Sequence, residues 1–389
     1  VEQRDPGLLQ EIGVQVLEIE AESSGRGEEG LGNWPGAARR AVRWVKLFTR
    51  SRIDLASELV RTFGDEVDLF IPMLVDLGTG LGDEAVTSVA DQVVVYELLS
   101  RASMLGVLPR SGRARVHPFV GFDPLRELRS RQVPPIRSPL EIVQEAVLRF
   151  GFVGIKLYPQ MGWRPSGNRA SARLSASEAA ELDAIVDELA AWCEAEHVPV
   201  TSHCSNSNYA DRRTYGVLGE EFGRPEDWWP VLTAHPGLHL NLGHFGGARR
   251  DEPRDGWPWR IARGMADHPN LYADVGNHRI DDDELFDAYI TMLGAMRNEP
   301  ATACVTERLM YGSDWFMDAL HPEHEQFLTT YRGRIAEAFE AVDPFMGGSA
   351  LRFLGFHDPD NRNNQRLTER YTTYAPDRHP TWLTRAEDS

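Results

Sequence analysis

The sequence predicts an α/β chain, a (β/α)8 barrel that lacks or replaces its first strand. Three observations lead there. Seven short apolar runs recur along the chain, amphipathic segments of helical period lie between them, and polar residues able to do chemistry stand at the ends of the runs. Strand–helix alternation gives a parallel sheet with right-handed crossovers. Seven such units in 389 residues favour a barrel over an open sheet.

The runs fall at 67–75, 115–121, 153–158, 198–203, 238–244, 271–275 and 308–314. Runs this apolar suit strands covered on both faces. Helical patterns are expected over 37–63, 91–103, 140–150, 176–196, 283–297 and 323–339. The clearest opens on Ser175 with Glu178 three residues later, a capping-box pattern. The expected organisation is an irregular segment over 1–36, a barrel domain over 37–347, and a C-terminal helix and tail over 348–389. The segment Val14-Gln15-Val16-Leu17-Glu18-Ile19-Glu20 is the one candidate strand ahead of the first helix, and an amphipathic helix fits it as well.

Composition narrows the partners. Apolar residues make up 42% and charged residues 26%, a globular balance that rules out a wholly disordered chain. The net charge of −18 argues against nucleic acid and anionic membrane, leaving a small-molecule substrate. A homo-oligomer is compatible with the sequence. No apolar run approaches the ~20 residues of a membrane span, and the first residues carry no signal-peptide pattern. Cys193, Cys204 and Cys304 form no C-x-x-C pair and read as reduced thiols, which points to a cytoplasmic protein. No phosphate-binding glycine motif is present, and Gly78-Thr79-Gly80-Leu81-Gly82 reads as a turn.

In a parallel barrel the site lies at the C-terminal strand ends. The residues there are Asp76, Asp123, Lys156, His203, His244, Asn277 or His278, and Asp314. Two imidazoles and a carboxylate suit zinc or another first-row divalent ion, manganese included. His203, His244 and Asp314 are therefore the candidate metal ligands, with His244 and Asp314 as candidate catalytic groups. Asp314, in Gly312-Ser313-Asp314-Trp315, is placed to accept a proton from an attacking water; helix capping is its competing role. Lys156, Tyr158, Arg164 and Trp315 are the candidate substrate-binding residues. With Trp257 and Trp259 they supply cationic and aromatic groups for an organic, carboxylate-bearing substrate, although ordinary loop packing explains them equally well.

Other residues read as structural. His117 lies inside its run and fits core packing. Pro236-Gly237 breaks any helix between His235 and His239, so they are no helical metal pair. His321 and His324 read as solvated, and Asp274 as structural. Lys156 fits a structural or substrate role better than carboxylation.

Five segments together resemble the amidohydrolase superfamily, in its amidohydrolase-related branch of metal-dependent hydrolases and decarboxylases. They are Gly154-Ile155-Lys156-Leu157-Tyr158-Pro159, Val198-Pro199-Val200-Thr201-Ser202-His203-Cys204, Leu242-Gly243-His244-Phe245-Gly246-Gly247, Asn270-Leu271-Tyr272-Ala273-Asp274 and Arg308-Leu309-Met310-Tyr311-Gly312-Ser313-Asp314-Trp315. The closing Gly347-Gly348-Ser349-Ala350-Leu351-Arg352-Phe353-Leu354-Gly355 resembles the family's final helix, with Ser349 where Asn is commoner. The resemblance implies that His203 is a metal ligand, His244 a second ligand or the acid/base, and Asp314 a ligand and proton acceptor. The family's remaining ligands form a His-x-His pair on the first strand, and the sequence contains no such pair. Glu18 and Glu20 have the spacing without the chemistry. Since the chain starts on Val1, the missing strand is expected upstream, and the ion is expected to bind weakly to the chain as it stands. The leading expectation is a metal-dependent hydrolase cleaving a C–N or C–O bond of a small organic substrate. The alternatives are a non-oxidative decarboxylase on the same scaffold and a metal-poor, non-catalytic binding barrel.

Overall fold

The computed structural model describes residues 46–47, 50–64, 66–77, 87–108, 113–133, 136–170, 174–205, 222–247, 249–278, 282–318 and 324–385. The expectations for residues 1–36, the glycine turn at 78–82 and His321 lie outside them.

All seven apolar runs become strands, and every pairing is parallel. They are β1 (Leu69–Phe70), β2 (Arg115–Val116) and β3 (Phe119–Phe122) from the first two runs, then β4 (Gly154–Leu157), β5 (Val200–His203), β6 (Leu240–Gly243), β7 (Leu271–Asp274) and β8 (Leu309–Met310). Strands β3 to β8 pair in sequence order. Strand β1 pairs with β2, and a bridge from Met73 to Phe119 carries that ladder on to β3. Sequential parallel order with helical crossovers is the arrangement of a (β/α)8 barrel. No pairing between β1 and β8 occurs among the described residues. The two edges instead share one apolar cluster, in which Phe70, Val116 and Leu99 meet Leu328, Tyr311 and Trp315.

The α-helices of six residues or more among the described residues are α1 (Arg52–Phe63), α2 (Val89–Met104), α3 (Pro124–Gln132), α4 (Pro139–Phe150), α5 (Ala176–Glu196), α6 (Trp229–Ala234), α7 (Trp257–Asp267), α8 (Asp283–Arg297), α9 (Phe327–Ala338), α10 (Ser349–Leu354) and α11 (Arg362–Tyr374). The capping box at Ser175 and Glu178 opens α5 as expected, and Ser138 with Glu141 opens α4 in the same way. The pattern over 37–63 is not one helix. Ser51, extended and accepting from the Asp54 amide, caps a new helix that starts at Arg52. Helices α3, α6, α7 and α11 escaped the sequence analysis. Each begins at a Pro or beside one, or is too polar on average for its period to stand out.

The two-residue strand period sorts the core. Val120, Phe122, Ile155, Leu157, Val200, Leu240, Leu242, Leu271, Ala273 and Leu309 face outward into the helices. The alternate residues face the barrel axis. Nearest the bottom, Phe119, Tyr272 and Met310 pack on Phe353, Leu354, Leu367 and Tyr371 of α10 and α11. The C-terminal segment therefore plugs the bottom of the barrel. Above that plug the inward residues turn polar: Lys156, Thr201, Asn241 and Asp274 are all inside.

Polar contacts tie the plug down. Arg370 on α11 donates to Glu97 on α2 at 2.6 Å, both buried. His117 is wholly buried, as expected for a core residue, between Ser100 Oγ at 3.1 Å and the Tyr371 hydroxyl at 3.0 Å. Burial pushes its pKa down to about 3, helped by the charges of Arg370 and Arg115. Native His117 thus stays neutral while its unfolded counterpart protonates below about pH 6.5. Folding stability should fall as pH drops from about 6.5 towards 3, by up to about 1.4 kcal/mol per pH unit from this residue. Urea unfolding of the wild type and His117→Gln at pH 6.5 and 4.5 checks this. The variant is expected to lose about 2 to 3 kcal/mol less between the two pH values; equal losses would refute the assignment.

Candidate functional site

Three strand ends share an unusual backbone. His244, Phe245, Asn277 and Asp314 have φ of 68°, 44°, 58° and 49°, and they follow β6, β7 and β8. Left-handed φ costs a non-glycine residue about 1–3 kcal/mol and persists only where the surroundings enforce it. Its concentration at one end of the barrel marks the site independently of residue chemistry.

His203, ending β5, and His244, just after β6, are in contact. His203 Nδ1 lies 3.0 Å from His244 Nε2, with the ring centroids 4.5 Å apart. His244 Nδ1 lies 2.7 Å from the Gly276 carbonyl, which can only accept, so that nitrogen carries a proton, and in the neutral ring Nε2 presents a lone pair. His203 Nδ1–H then donates to it, and His203 Nε2 accepts from Ser205 Oγ at 2.9 Å. Tyr158 stacks on His203 with ring centroids 4.2 Å apart. Burial holds the His203 pKa well below the usual imidazole range, and the neighbouring His244 and Lys156 lower it further.

Behind the pair lies Asp274. Its Oδ1 accepts the His244 amide at 3.1 Å and the Gly276 amide at 2.9 Å, and its Oδ2 accepts Asn241 Nδ2 at 2.7 Å. Burial alone would raise its pKa. His244, the Asn241 and Gly276 hydrogen bonds and Lys156 outweigh burial and keep it low. Lys156 is buried, which lowers its pKa, while Asp274, Asp314 and Cys204 oppose the shift. Asp314 is solvent-exposed yet has protein around it, so desolvation, with Asp274 adding, raises its pKa against the pull of His244 and Lys156.

Gly276 sits where these groups meet. A Cβ there would lie 3.0 Å from Asp274 Oδ1, 3.4 Å from Asp314 Cβ and 3.6 Å from His244 Nδ1. His203, His244 and Asp314 thus occupy one end of the barrel, with Asp314 across Gly276 from His244.

The His203–His244 pair fits a divalent ion. Two nitrogens on one tetrahedral zinc, each about 2.0–2.1 Å from the metal, lie roughly 3.3–3.4 Å apart, close to the 3.0 Å seen here. Burial favours the neutral form of His203 that ligation requires. The expected set of His203, His244 and Asp314 does not assemble fully. Among the described residues no third His, Cys, Asp or Glu joins the pair in an arrangement that could hold an ion. Asp314 stands instead among the charges of His244, Lys156 and Asp274.

The other strand-end carboxylates are structural. Asp76 takes a bidentate ion pair from Arg126 at 2.7 Å, and Asp123 caps α3. His278 donates to the His244 carbonyl at 2.7 Å and packs edge-on to Tyr289. The charge of Arg164 is felt at Asp227, whose pKa burial pushes up to about 6 against the pull of Arg164 and Arg224. Trp315 packs into the cluster that joins the barrel edges. Trp259 is buried in the outer core rather than at the mouth. The sequence analysis missed Asn241, Ser205 and Gln160, whose amide donates to the Ser205 carbonyl at 3.0 Å. Asn241 lies three residues before His244 on a strand where a period of two turns it inward. That signal was there to be read.

The parallel barrel thus brings paired histidines and a carboxylate together at one end, the arrangement of an enzyme's site. The amidohydrolase family model matches residues 129–356, more than half of the chain. The protein belongs to the amidohydrolase family and is an enzyme. No curated protein matches the chain significantly. Solved structures with a similar chain path include an amidohydrolase from Burkholderia multivorans with bound zinc, 15% identical, covering 74% of this chain and 99% of that one with a TM-score of 0.41. A provisionally assigned 2-pyrone-4,6-dicarboxylic acid hydrolase from Acinetobacter baumannii, with citric acid bound, is 9% identical, with coverages of 74% and 99% and a TM-score of 0.39. Dihydroorotase from Campylobacter jejuni is 12% identical, with coverages of 74% and 83% and a TM-score of 0.37. No helix of the described residues is long and apolar enough to cross a membrane.

The crowding around Gly276 makes a direct test. Gly276→Ala should press on Asp274 and, through it, on His244. Turnover is expected to fall at least tenfold while the melting temperature moves by only a few degrees. Unchanged turnover would mean that the three groups need not be held this closely.

Proposed function

We propose that the protein hydrolyses a C–N or C–O bond of a small organic substrate with the help of a divalent metal ion, zinc being the first choice. The observation that carries this reading is the His203 Nδ1–His244 Nε2 contact at 3.0 Å, with Asp314 across Gly276 from it. His203 and His244 would hold the ion. Bound there, it would lower the pKa of a water towards ~7 and polarise the scissile group.

The protein's own residues supply the rest. Ligation through His203 Nδ1 needs that nitrogen unprotonated. Ser205 Oγ, able to accept as well as donate, keeps a partner for a proton moved to His203 Nε2. The Gly276 carbonyl fixes the His244 tautomer, so Nε2 always faces His203. Asp314, solvent-exposed beside the histidine pair, is the proton acceptor for the attacking water and the donor to the leaving group. Lys156 offsets the charge of Asp274 and Asp314, and its ammonium suits a carboxylate or developing oxyanion on the substrate.

A panel of amides, esters and lactones bearing carboxylates tests this, with product analysis by mass spectrometry. Hydrolysed product is expected. Chelation should suppress turnover and zinc restore it, and His203→Ala and Asp314→Asn should each lower kcat by at least about a hundredfold, within the range of general acid–base and metal catalysis. Carbon dioxide as the product would replace hydrolysis with decarboxylation. Turnover unaffected by His203→Ala would refute the assignment of the site.

A further inference from the structure

We infer that Asp274 is a positioning residue for His244, and that it acts through the hydrogen bonds of its two oxygens. The inference rests on the proposed use of His244 and goes beyond it. His244 has a left-handed backbone, φ 68°, that an L-residue adopts only under constraint. Its amide is held by Asp274 Oδ1 at 3.1 Å, and the same oxygen takes the Gly276 amide at 2.9 Å. The Gly276 carbonyl in turn accepts from His244 Nδ1 at 2.7 Å. One oxygen of Asp274 thus fixes the backbone on which the imidazole stands and the turn that orients its ring.

The second oxygen has a separate task. Oδ2 accepts from Asn241 Nδ2 at 2.7 Å. Asn241 also donates to Thr201 Oγ1 at 3.2 Å, on the neighbouring strand that ends in His203. The carboxylate is thereby held from β6 while it holds the turn after β7. An ionised carboxylate only accepts, so Asn241 must present its NH2 to it. This division of labour makes a swap possible. In Asp274→Asn the amide oxygen can still take both backbone N–H groups, but its NH2 meets the NH2 of Asn241, donor against donor. Adding Asn241→Asp turns that clash back into a hydrogen bond and returns one negative charge to the cluster.

The experiment compares the wild type, Asp274→Asn, Asn241→Asp and the double variant. In steady-state hydrolysis, Asp274→Asn is expected to lower kcat at least tenfold with KM changed less than about threefold, and the double variant to recover at least half of the lost factor. Asp274→Asn within twofold of wild type, or a double variant no better than either single one, would overturn the inference. The second readout needs no turnover. In protein labelled with 15N-histidine, the resonance of the His244 ring, assigned by its loss in His244→Gln, should shift in Asp274→Asn and return towards the wild-type position in the double variant. If no substrate of the panel is hydrolysed, the proposed function fails while the ring resonance still decides the inference. A ring unmoved by Asp274→Asn overturns it, as does a shift the second substitution does not reverse.

Discussion

A strand covered on both faces has no free side, and that constraint shapes the whole molecule. Alternate residues must satisfy two different interiors. Outward residues meet helices and are uniformly apolar, from Val120 on β3 to Leu309 on β8. Inward residues meet one another across the axis, where the space is too small for seven large side chains at one level. The barrel answers by level. Phe119, Tyr272 and Met310 fill the bottom with help from Phe353. Gly154 leaves room for the Phe119 ring, which a Cβ there would approach to 2.4 Å. Higher up the same inward positions carry Lys156, Thr201, Asn241 and Asp274, and the chemistry follows from what these polar groups need once water is excluded.

Buried charge is tolerable only when it is paired and hydrogen-bonded. Asp274 meets that demand with two backbone amides and an asparagine, while the charges of Asp274 and Asp314 favour the Lys156 ammonium against its burial. The two amides face inward where the chain turns left-handed, at His244 itself and just before Asn277. Strain and satisfaction are therefore two sides of one arrangement. Relaxing the backbone at His244 would strand a buried carboxylate, and that cost, of the order of a few kcal/mol for an unsatisfied buried charge, exceeds what the relaxation would return.

The fold was legible because it is written in period and punctuation. Seven apolar runs separated by helical segments need no tertiary information, and the capping box at Ser175 and Glu178 marks a boundary by itself. The break at Ser51 was lost because an N-cap serine inside a helical pattern also reads as a tolerated polar residue. The histidine pair was legible because barrel topology sends strand ends to one place. What stayed hidden was how strand-end residues divide their work. Asp76 and Asp123 looked like Asp314 in sequence, yet one is held by Arg126 and the other caps α3. Arg164 and Trp315 follow strand ends too, yet one acts on Asp227 and the other packs into the apolar cluster between the barrel edges. Loop direction, not loop position, decides such cases, and a single sequence does not encode it in any short pattern.

The two ends of the barrel use histidine in opposite ways for the same physical reason. At the bottom His117 is walled in by Ser100 and Tyr371, with the positive charges of Arg115 and Arg370 nearby, so burial makes its protonation costly and it serves as a neutral hydrogen-bonding strut. At the top His203 is also buried and kept neutral by the same desolvation. Its Nδ1, however, points at a second imidazole whose tautomer a backbone carbonyl has fixed, beside the solvent-exposed Asp314. Neutrality at the bottom stabilises the fold. At the mouth the same neutrality leaves imidazole lone pairs, a carboxylate and solvent within reach of one another, the combination that bond hydrolysis needs.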